Sequence, residues 1–365
     1  MQRTLLATVA LVATAWGAAP ALAQAGGADA AERPALMARA PSRAFLLGIA
    51  QAGKRLVAVG ERGVIILSDD AGRNWRQARV PASVTLTAVQ FVSPSKGWAV
   101  GHSGIVLHSA DGGEHWEHQL DGVQAAGLAL QAAQARSGAG AGADAALAEA
   151  QRLVKDGADK PFLALHFSDE LHGIVAGAYN LLFQTVDGGR HWTPMMDRLD
   201  NPKAMHLYAM ASAGDVMVVA GEQGSLFRSA DAGQHFERVG SPYKGSFFAV
   251  TALPSGEFIV GGLRGNAFRS SHQGRNWERL EGASPVSFIA ARNAGPLGAV
   301  LANQAGQMFV AGADGGALRP LPLPPTAPVN DMAVLADGSV VAVGMAGAHR
   351  LETKGAALPP HGDVQ

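Results

Sequence analysis

Apolar residues in this chain come in short runs, each closed by glycine, serine, asparagine or aspartate before the next begins. Residues 98–116 set the pattern: Trp-Ala-Val-Gly-His-Ser-Gly-Ile-Val-Leu-His-Ser-Ala-Asp-Gly-Gly-Glu-His-Trp. One run ends at Gly101, two residues intervene, and Gly104 opens the next. A turn carrying Ser109, Asp111 and Gly113 then leads to Trp116. Runs this short, separated by tight turns, predict a hairpin followed by a turn into a further strand. Nearly the same text stands at Val59 to Trp75, Ala176 to Trp192 and Ala220 to Phe236.

The Gly-x-x-Gly turn recurs as Gly60/Gly63, Gly101/Gly104, Gly177/Asn180, Gly221/Gly224, Gly262/Gly265, Asn303/Gly306 and Gly344/Gly347. Successive first members are 41, 76, 44, 41, 41 and 41 residues apart. Asparagine replaces glycine twice, and it is among the side chains that best tolerate positive φ. A period of about 40–45 residues built from short strands marks the four-stranded blade of a propeller. The expected fold is all-β, a seven-bladed β-propeller of four-stranded blades, with an Ala/Gly-rich, partly helical insertion between blades 2 and 3.

That insertion, 121–160, accounts for the one long step. It pairs a low-complexity stretch at 135–144 with helix-prone runs at Gly127–Gln134 and Ala145–Val154, which suits a helical hairpin or a mobile lid. The propeller is expected over 34–352, with a linker at 24–33 and a flexible tail at 353–365. Blade 7 runs Met332–Leu335, Val340–Val343 and His349–Leu351, then meets a Gly-, Ala- and Pro-rich tail, so a fourth strand is lacking. Pro34–Ala40 is the expected closing strand, since an unpaired edge invites aggregation.

Composition then sets the compartment. Arg3, an apolar Leu5–Trp16 core and Ala21-Leu22-Ala23 read as a signal peptide over 1–23. The core is short of the roughly 20 residues that span a bilayer. There are no cysteines, which excludes disulfides, thiolate metal sites and a lipidated cysteine at the cleavage point. A soluble, exported, periplasmic protein is expected, with no membrane insertion after cleavage. The formal charge of −1 offers no basic footprint for nucleic acid.

The third turn of each early blade repeats Ser/Thr-x-Asp-x-Gly-x-x-aromatic. Its copies are Ser68/Asp70/Gly72/Trp75, Ser109/Asp111/Gly113/Trp116, Thr185/Asp187/Gly189/Trp192 and Ser229/Asp231/Gly233/Phe236. A fifth, Ser270/His272/Gly274/Trp277, has histidine in the aspartate place. An aspartate here can accept bonds from the backbone N–H groups just ahead of it. The glycine supplies a positive φ, and the aromatic buries a large ring between neighbouring strands. A catalytic group is needed once, whereas a fold-stabilising clip is needed in every blade, so these residues are expected to be structural. His115, His118, His191 and His235 scatter around the clips without a metal-binding spacing, and no metal or cofactor is expected.

The clip resembles the Asp-box of bacterial-neuraminidase-repeat proteins. The full unit, Trp-Ala-Val-Gly-x-x-Gly-x-Ile-x-x-Ser-x-Asp-Gly-Gly-x-x-Trp, resembles the photosystem II stability/assembly factor family and its relatives in non-photosynthetic bacteria, over about 44–350. The resemblance implies a seven-bladed scaffold that binds or assembles a partner without catalysis. It also implies, for non-photosynthetic relatives, proximity to transporters of the resistance-nodulation-division type, and an arginine-rich patch to which Arg62 and Arg264 correspond in turn position.

In a four-stranded meander the second turns share a face with the inter-blade connections, opposite the clips. The insertion is such a connection, so two features mark one face for a partner. Its candidate contacts are Glu61, Arg62, His102, Tyr179, Glu222, Gln223, Arg264 and Gln304 in the turns, with Lys203, His206, Tyr243 and Lys244 in the connections. The expected function is a non-catalytic exported scaffold for a membrane-embedded or membrane-associated protein, a resistance-nodulation-division transporter among the candidates. The alternative is a glycoside hydrolase of the sialidase kind, which needs three arginines and a tyrosine beside a glutamate. None of Tyr179, Tyr208 and Tyr243 has that glutamate nearby in sequence.

Overall fold

A computed structural model describes residues 30–352 apart from 137, 139, 313 and 325. The signal peptide, most of the 24–33 linker and the 353–365 tail lie outside the described residues. Seven antiparallel sheets follow one another in chain order. Blade 1 spans Leu46 to Gln77, blade 2 Leu86 to Leu120 and blade 3 Phe162 to Pro194. Blades 4, 5 and 6 span Leu207 to Arg238, Phe247 to Arg279 and Phe288 to Pro320. Blade 7, Val329 to Leu351, has three strands among the described residues and the others have four.

The second strand of every blade is buried along almost its whole length, as in Val216–Gly221 and Val340–Gly344. A central strand covered on both faces reads as a continuous apolar run rather than an alternating one. Seven apolar clusters fill the spaces between blades. The cluster at the 7–1 boundary joins Leu46, Ile49, Leu56 and Ile66 to Val341 and Val343.

The ring closes differently from the expected borrowed strand. Pro34–Ala40 lies along the outside of blade 1: Ala35 N–H donates to Val80 O at 2.9 Å, and the Gln77 amide clasps Leu36 O and Ala38 N–H. Pro34 has no N–H to offer a ladder, and one glutamine side chain satisfies two backbone groups that a strand partner would otherwise take. Closure instead repeats the contacts made at every boundary. A Cβ at Gly347 would lie 1.9 Å from Ser42 O, as one at Gly63 would lie 2.0 Å from Ala82 O. A Cβ at Gly72 would lie 2.8 Å from the Val341 side chain, as one at Gly113 would lie 3.1 Å from Leu67. The second-turn glycine thus admits the next connection, and the clip glycine admits the preceding blade. Four further hydrogen bonds span the 7–1 boundary: Ile49 N–H to Asp331, Asn330 to Leu46 O, Gln51 to Val334 O and Arg350 to Ala71 O.

The insertion forms two helices, α1 (Gly122–Ala135) and α2 (Ala141–Asp156). Asp121 and Gln124 make a reciprocal capping box at the start of α1. Ala125, Ala129 and Ala133 lie one turn apart, so they share a face. That face is buried with Ala150 of α2 in the same cluster as Phe162, Phe183 and Trp192. Of the two forms expected for 121–160, the helical hairpin is the one adopted, and it is packed on blades 2 and 3 rather than poised above them.

Candidate partner-binding face

In blades 1 to 6 the second turn is fixed to the chain that leads into the inner strand of its own blade. His102 N–H donates to Thr85 O, Glu222 N–H to His206 O and Leu263 N–H to Ser246 O, all at 2.9 Å. In blades 1 to 5 the second interior residue is left-handed. Arg62, Ser103, Tyr179, Gln223 and Arg264 have φ of 51°, 57°, 53°, 51° and 56°. First and third turns meet on the opposite face, where Gly112 N–H donates to Ser95 O and Gly188 N–H to Leu171 O. The insertion is rooted on the second-turn face, since a Cβ at Gly104 would lie 2.6 Å from Gly122 Cα.

The candidate residues divide. Arg62, His102, Tyr179, Gln223, Arg264, Gln304, Lys203 and Lys244 are exposed. Glu61 and Glu222 are half-buried, and their carboxylates accept from the backbone N–H groups of Phe45 and His206. These acids tie turn to strand. Tyr243 is half-buried too, with its ring against Phe247 and Phe268, so it belongs to the blade 4–5 packing. Where Asn180 replaces glycine, its side chain bonds Asn201 at 2.9 Å and anchors the same connection by another route. Among the described residues Arg62, Lys203, Lys244 and Arg264 form no ion pair.

Tyr179 and His206 come together, their rings 4.8 Å apart, and Lys160 Nζ sits 5.2 Å from the Tyr179 ring. His206 continues to Tyr208, and Tyr208 to Phe248 at 5.3 Å. Tyr208 and Phe248 line the central channel, a cavity of about 420 Å³. Lys160, Tyr208 and Phe248 were not among the residues expected at the face. Burial pushes the Tyr208 phenol up, and the nearby Glu222 carboxylate adds to the shift, so the hydroxyl stays protonated. A sialidase site would also need three arginines; among the described residues the channel lining has one, Arg292, paired with Asp331.

The clips have the geometry of turn caps. In blade 2, Ser109 Oγ accepts from Gly113 N–H at 2.8 Å, and Asp111 Oδ1 accepts from Ser109 Oγ and from His115 N–H. His115, His191 and His235 place Nδ1 at 2.7, 2.6 and 2.8 Å from the second carboxylate oxygens of Asp111, Asp187 and Asp231. Burial acts to raise Asp187, but bonds from the His191 side chain and backbone, with Thr185, hold it at about 2. In blade 5, Ser270 Oγ still accepts from Gly274 N–H although His272 replaces the aspartate.

The clip glycines keep their expected role and add a second one, while Trp277 departs from the expected burial. Gly189 and Gly233 supply a positive φ, +87° and +86°, as expected, and they are also buried beneath the preceding blade. A Cβ at Gly189 would lie 1.9 Å from the Gln119 amide oxygen of blade 2, and one at Gly233 2.5 Å from Ile174 Cδ1 of blade 3. These glycines are therefore packing positions between blades as well as turn positions. Trp116 is buried and its indole N–H donates to Gly113 O at 2.9 Å. Trp277 is only half-buried, leans on the blade 4–5 cluster, and its buried indole nitrogen has no acceptor; the same nitrogen of Trp192 has none either. His272 offers no carboxylate for the N–H just ahead of the tryptophan, a bond that Asp111 makes to His115 and Asp231 to His235. Among the described residues the Trp277 ring makes apolar contacts and no side-chain hydrogen bond.

The family described as photosynthesis system II assembly factor YCF48 matches residues 67–134 and 144–321. The chain belongs to that family. The unmatched residues 135–143 fall at the connection between α1 and α2. A curated relative, the photosystem II assembly lipoprotein Ycf48 of Synechococcus sp. (strain CC9902), is 31% identical over 93 residues, which is 25% of this chain. The match spans 28% of that relative's own length. The solved structure of YCF48 bound to D1 peptide has a TM-score of 0.59 at 17% identity, covering 87% of this chain and 98% of that one. YCF48 from Cyanidioschyzon merolae gives 0.60 at 11% identity, over 85% and 96% of the two chains. The WD40 propeller domain of Doa1 gives 0.59 at 11%, over 87% and 95%. At these identities the structural likenesses speak for the propeller.

Proposed function

We infer that the chain is a non-catalytic scaffold of the exported, periplasmic kind, which binds or helps assemble a membrane-protein partner through its second-turn face. The observation that carries this is the set of equivalent left-handed positions at Arg62, Tyr179, Gln223 and Arg264. The backbone there is locked to the inner-strand connections, while the side chains are exposed and of three kinds, two arginines, a tyrosine and a glutamine. A rigid frame that presents varied side chains on short loops is how a scaffold specifies a partner. A non-glycine residue held left-handed carries a cost of about 1–2 kcal/mol. The family description, an assembly factor, supports the same reading. The finer reading of the partner is a transporter of the resistance-nodulation-division type.

The test is crosslinking recovery from the native membrane with Arg62, Tyr179 and Arg264 replaced together by alanine. The expected result is a folded protein that no longer recovers the partner, with the partner from wild type identified by mass spectrometry. Recovery at the wild-type level would sink the reading, and recovery of a protein with no transporter homology would remove only the finer one.

A further inference from the structure

The first residue of each inner strand pairs with the first residue of the second turn: Leu46 with Gly60, Leu86 with Gly101, Phe162 with Gly177 and Leu207 with Gly221. Phe247 with Gly262, Phe288 with Asn303 and Val329 with Gly344 complete the set. The residue that follows each of them lines the channel, so Leu47, Thr87, Leu163, Tyr208, Phe248, Ile289 and Asn330 ring its mouth on the second-turn face. All seven are half-buried. Thr87 Oγ1 donates to Phe162 O and the Asn330 amide N–H to Leu46 O, so the polar hydrogens of these two members are turned to backbone, and Tyr208 adds one phenol hydroxyl. Deeper in, polar side chains staple neighbouring blades: His166 meets Ser212 at 2.7 Å, and Gln90 bonds both Phe167 O and Phe167 N–H. The mouth is therefore a largely apolar collar, above a lining in which small apolar residues alternate with these polar groups. Through His206 its aromatic side continues outward to Tyr179.

We propose that this mouth anchors an extended acidic peptide segment of the partner by accepting one aromatic or aliphatic side chain between Leu47, Leu163, Tyr208, Phe248 and Ile289. The proposal rests on the docking reading of the second-turn face. Two features select the occupant. A cavity of about 420 Å³ accommodates one or two side chains and not a folded domain. The surrounding face carries Arg62, Lys203, Lys244 and Arg264, exposed and without an ion pair among the described residues, against Asp200, which is exposed, and the Glu61 and Glu222 carboxylates, which are half-buried, so the exposed excess is positive and favours an acidic complement. Apolar anchors in a desolvated central pocket, ringed by charges that steer, follow the general anatomy of tight recognition.

The experiment pans a random decapeptide phage library against the folded protein and measures the best synthetic decapeptide by fluorescence anisotropy. Enriched peptides are expected to join Phe, Tyr, Trp or Leu to Asp or Glu, and to bind more weakly as salt rises. Phe248→Ala is expected to weaken binding at least tenfold. Leu47→Gln, which removes apolar surface from the opposite side of the mouth, is expected to do the same if Phe248→Ala fails to fold. An empty selection, enrichment of basic peptides, retention of neutral oligosaccharides in place of peptides, or unchanged affinity in the folded variant overturns the proposal. Failure here is separable from failure of the docking reading. If Phe248→Ala recovers the native partner normally while the Arg62, Tyr179 and Arg264 variant does not, the face stands and only the anchor falls.

Discussion

Replacing Gly347 by alanine tests how the ring is closed. Gly347 has φ +93°, and an added Cβ would lie 1.9 Å from Ser42 O and 2.7 Å from Arg43 Cα. The left-handed backbone alone costs an alanine about 1–2 kcal/mol. The obstacle is backbone on the entry to blade 1, so relief requires that blade 7 or the 41–43 turn move, at about 1–3 kcal/mol more. The total of about 2–5 kcal/mol is a large part of the roughly 5–15 kcal/mol that holds a folded protein together. At about 2 °C per kcal/mol for a chain of this size, the melting temperature should fall by about 4–10 °C. Gly127→Ala is the control: nothing lies within 4 Å of its added Cβ, and it sits on the exposed side of α1. That change should stabilise by about 0.5–1 kcal/mol. Calorimetry gives the two shifts, and hydrogen exchange should place the loss in Gly347→Ala at blades 7 and 1 and spare blade 4. A Gly347→Ala protein that melts with wild type, or loosens uniformly, would refute this account of closure.

Asp111→Ala should cost about 0.5–2 kcal/mol, the value of a lost turn cap, and leave partner recovery intact; lost recovery at unchanged melting temperature would contradict the structural role of the clip. Deleting 121–160 should destabilise the protein markedly, because it strips Ala125, Ala129 and Ala133 from Phe162 and Trp192, and a deletion that melts with wild type would show that the helices do not contribute. Acid should act in two windows. His166 is driven down to about 4 by burial, so its stabilisation is full above the unfolded value near 6.5 and is lost as pH falls toward 4. Asp187 and Asp231 are held at about 2, so theirs is full above about 4 and is lost as pH falls toward 2. Urea midpoints against pH should show both windows, with the upper one absent in His166→Gln; a wild-type slope between pH 6.5 and 4 in that variant would reject the assignment.

The repeat was legible because its glycines mark contacts that every blade makes. Gly63, Gly104 and Gly265 each admit the backbone of the next connection, where an added Cβ would clash, so the spacing shows through the divergence between blades. Gly189 and Gly233 were legible as turn glycines but not as packing positions, because Gln119 and Ile174 that cover them belong to another blade. The N-terminal segment was misplaced because its position depends on Gln77, one side chain with no repeat to announce it. The start of α1 was written in Asp121 and Gln124, and its buried face in alanines four apart, but alanine-rich text reads equally as loose linker. The channel mouth was hidden for a different reason. Its ring takes one residue from each blade, about 40 positions apart, and nothing local to Leu163, Tyr208 or Phe248 says that they face one another. Glu222 beside Tyr208 was missed likewise, since strand pairing joins residues that sequence keeps apart.

The central claim is that a partner docks on the second-turn face. A photocrosslinking amino acid placed singly at 179 or at 186 tests it most directly. Tyr179 and Val186 are similarly exposed, at 53% and 59%, in the same blade and on opposite faces. Irradiation in native membranes should give a partner adduct from position 179 and none from 186. An adduct from 186 with none from 179 would contradict the account.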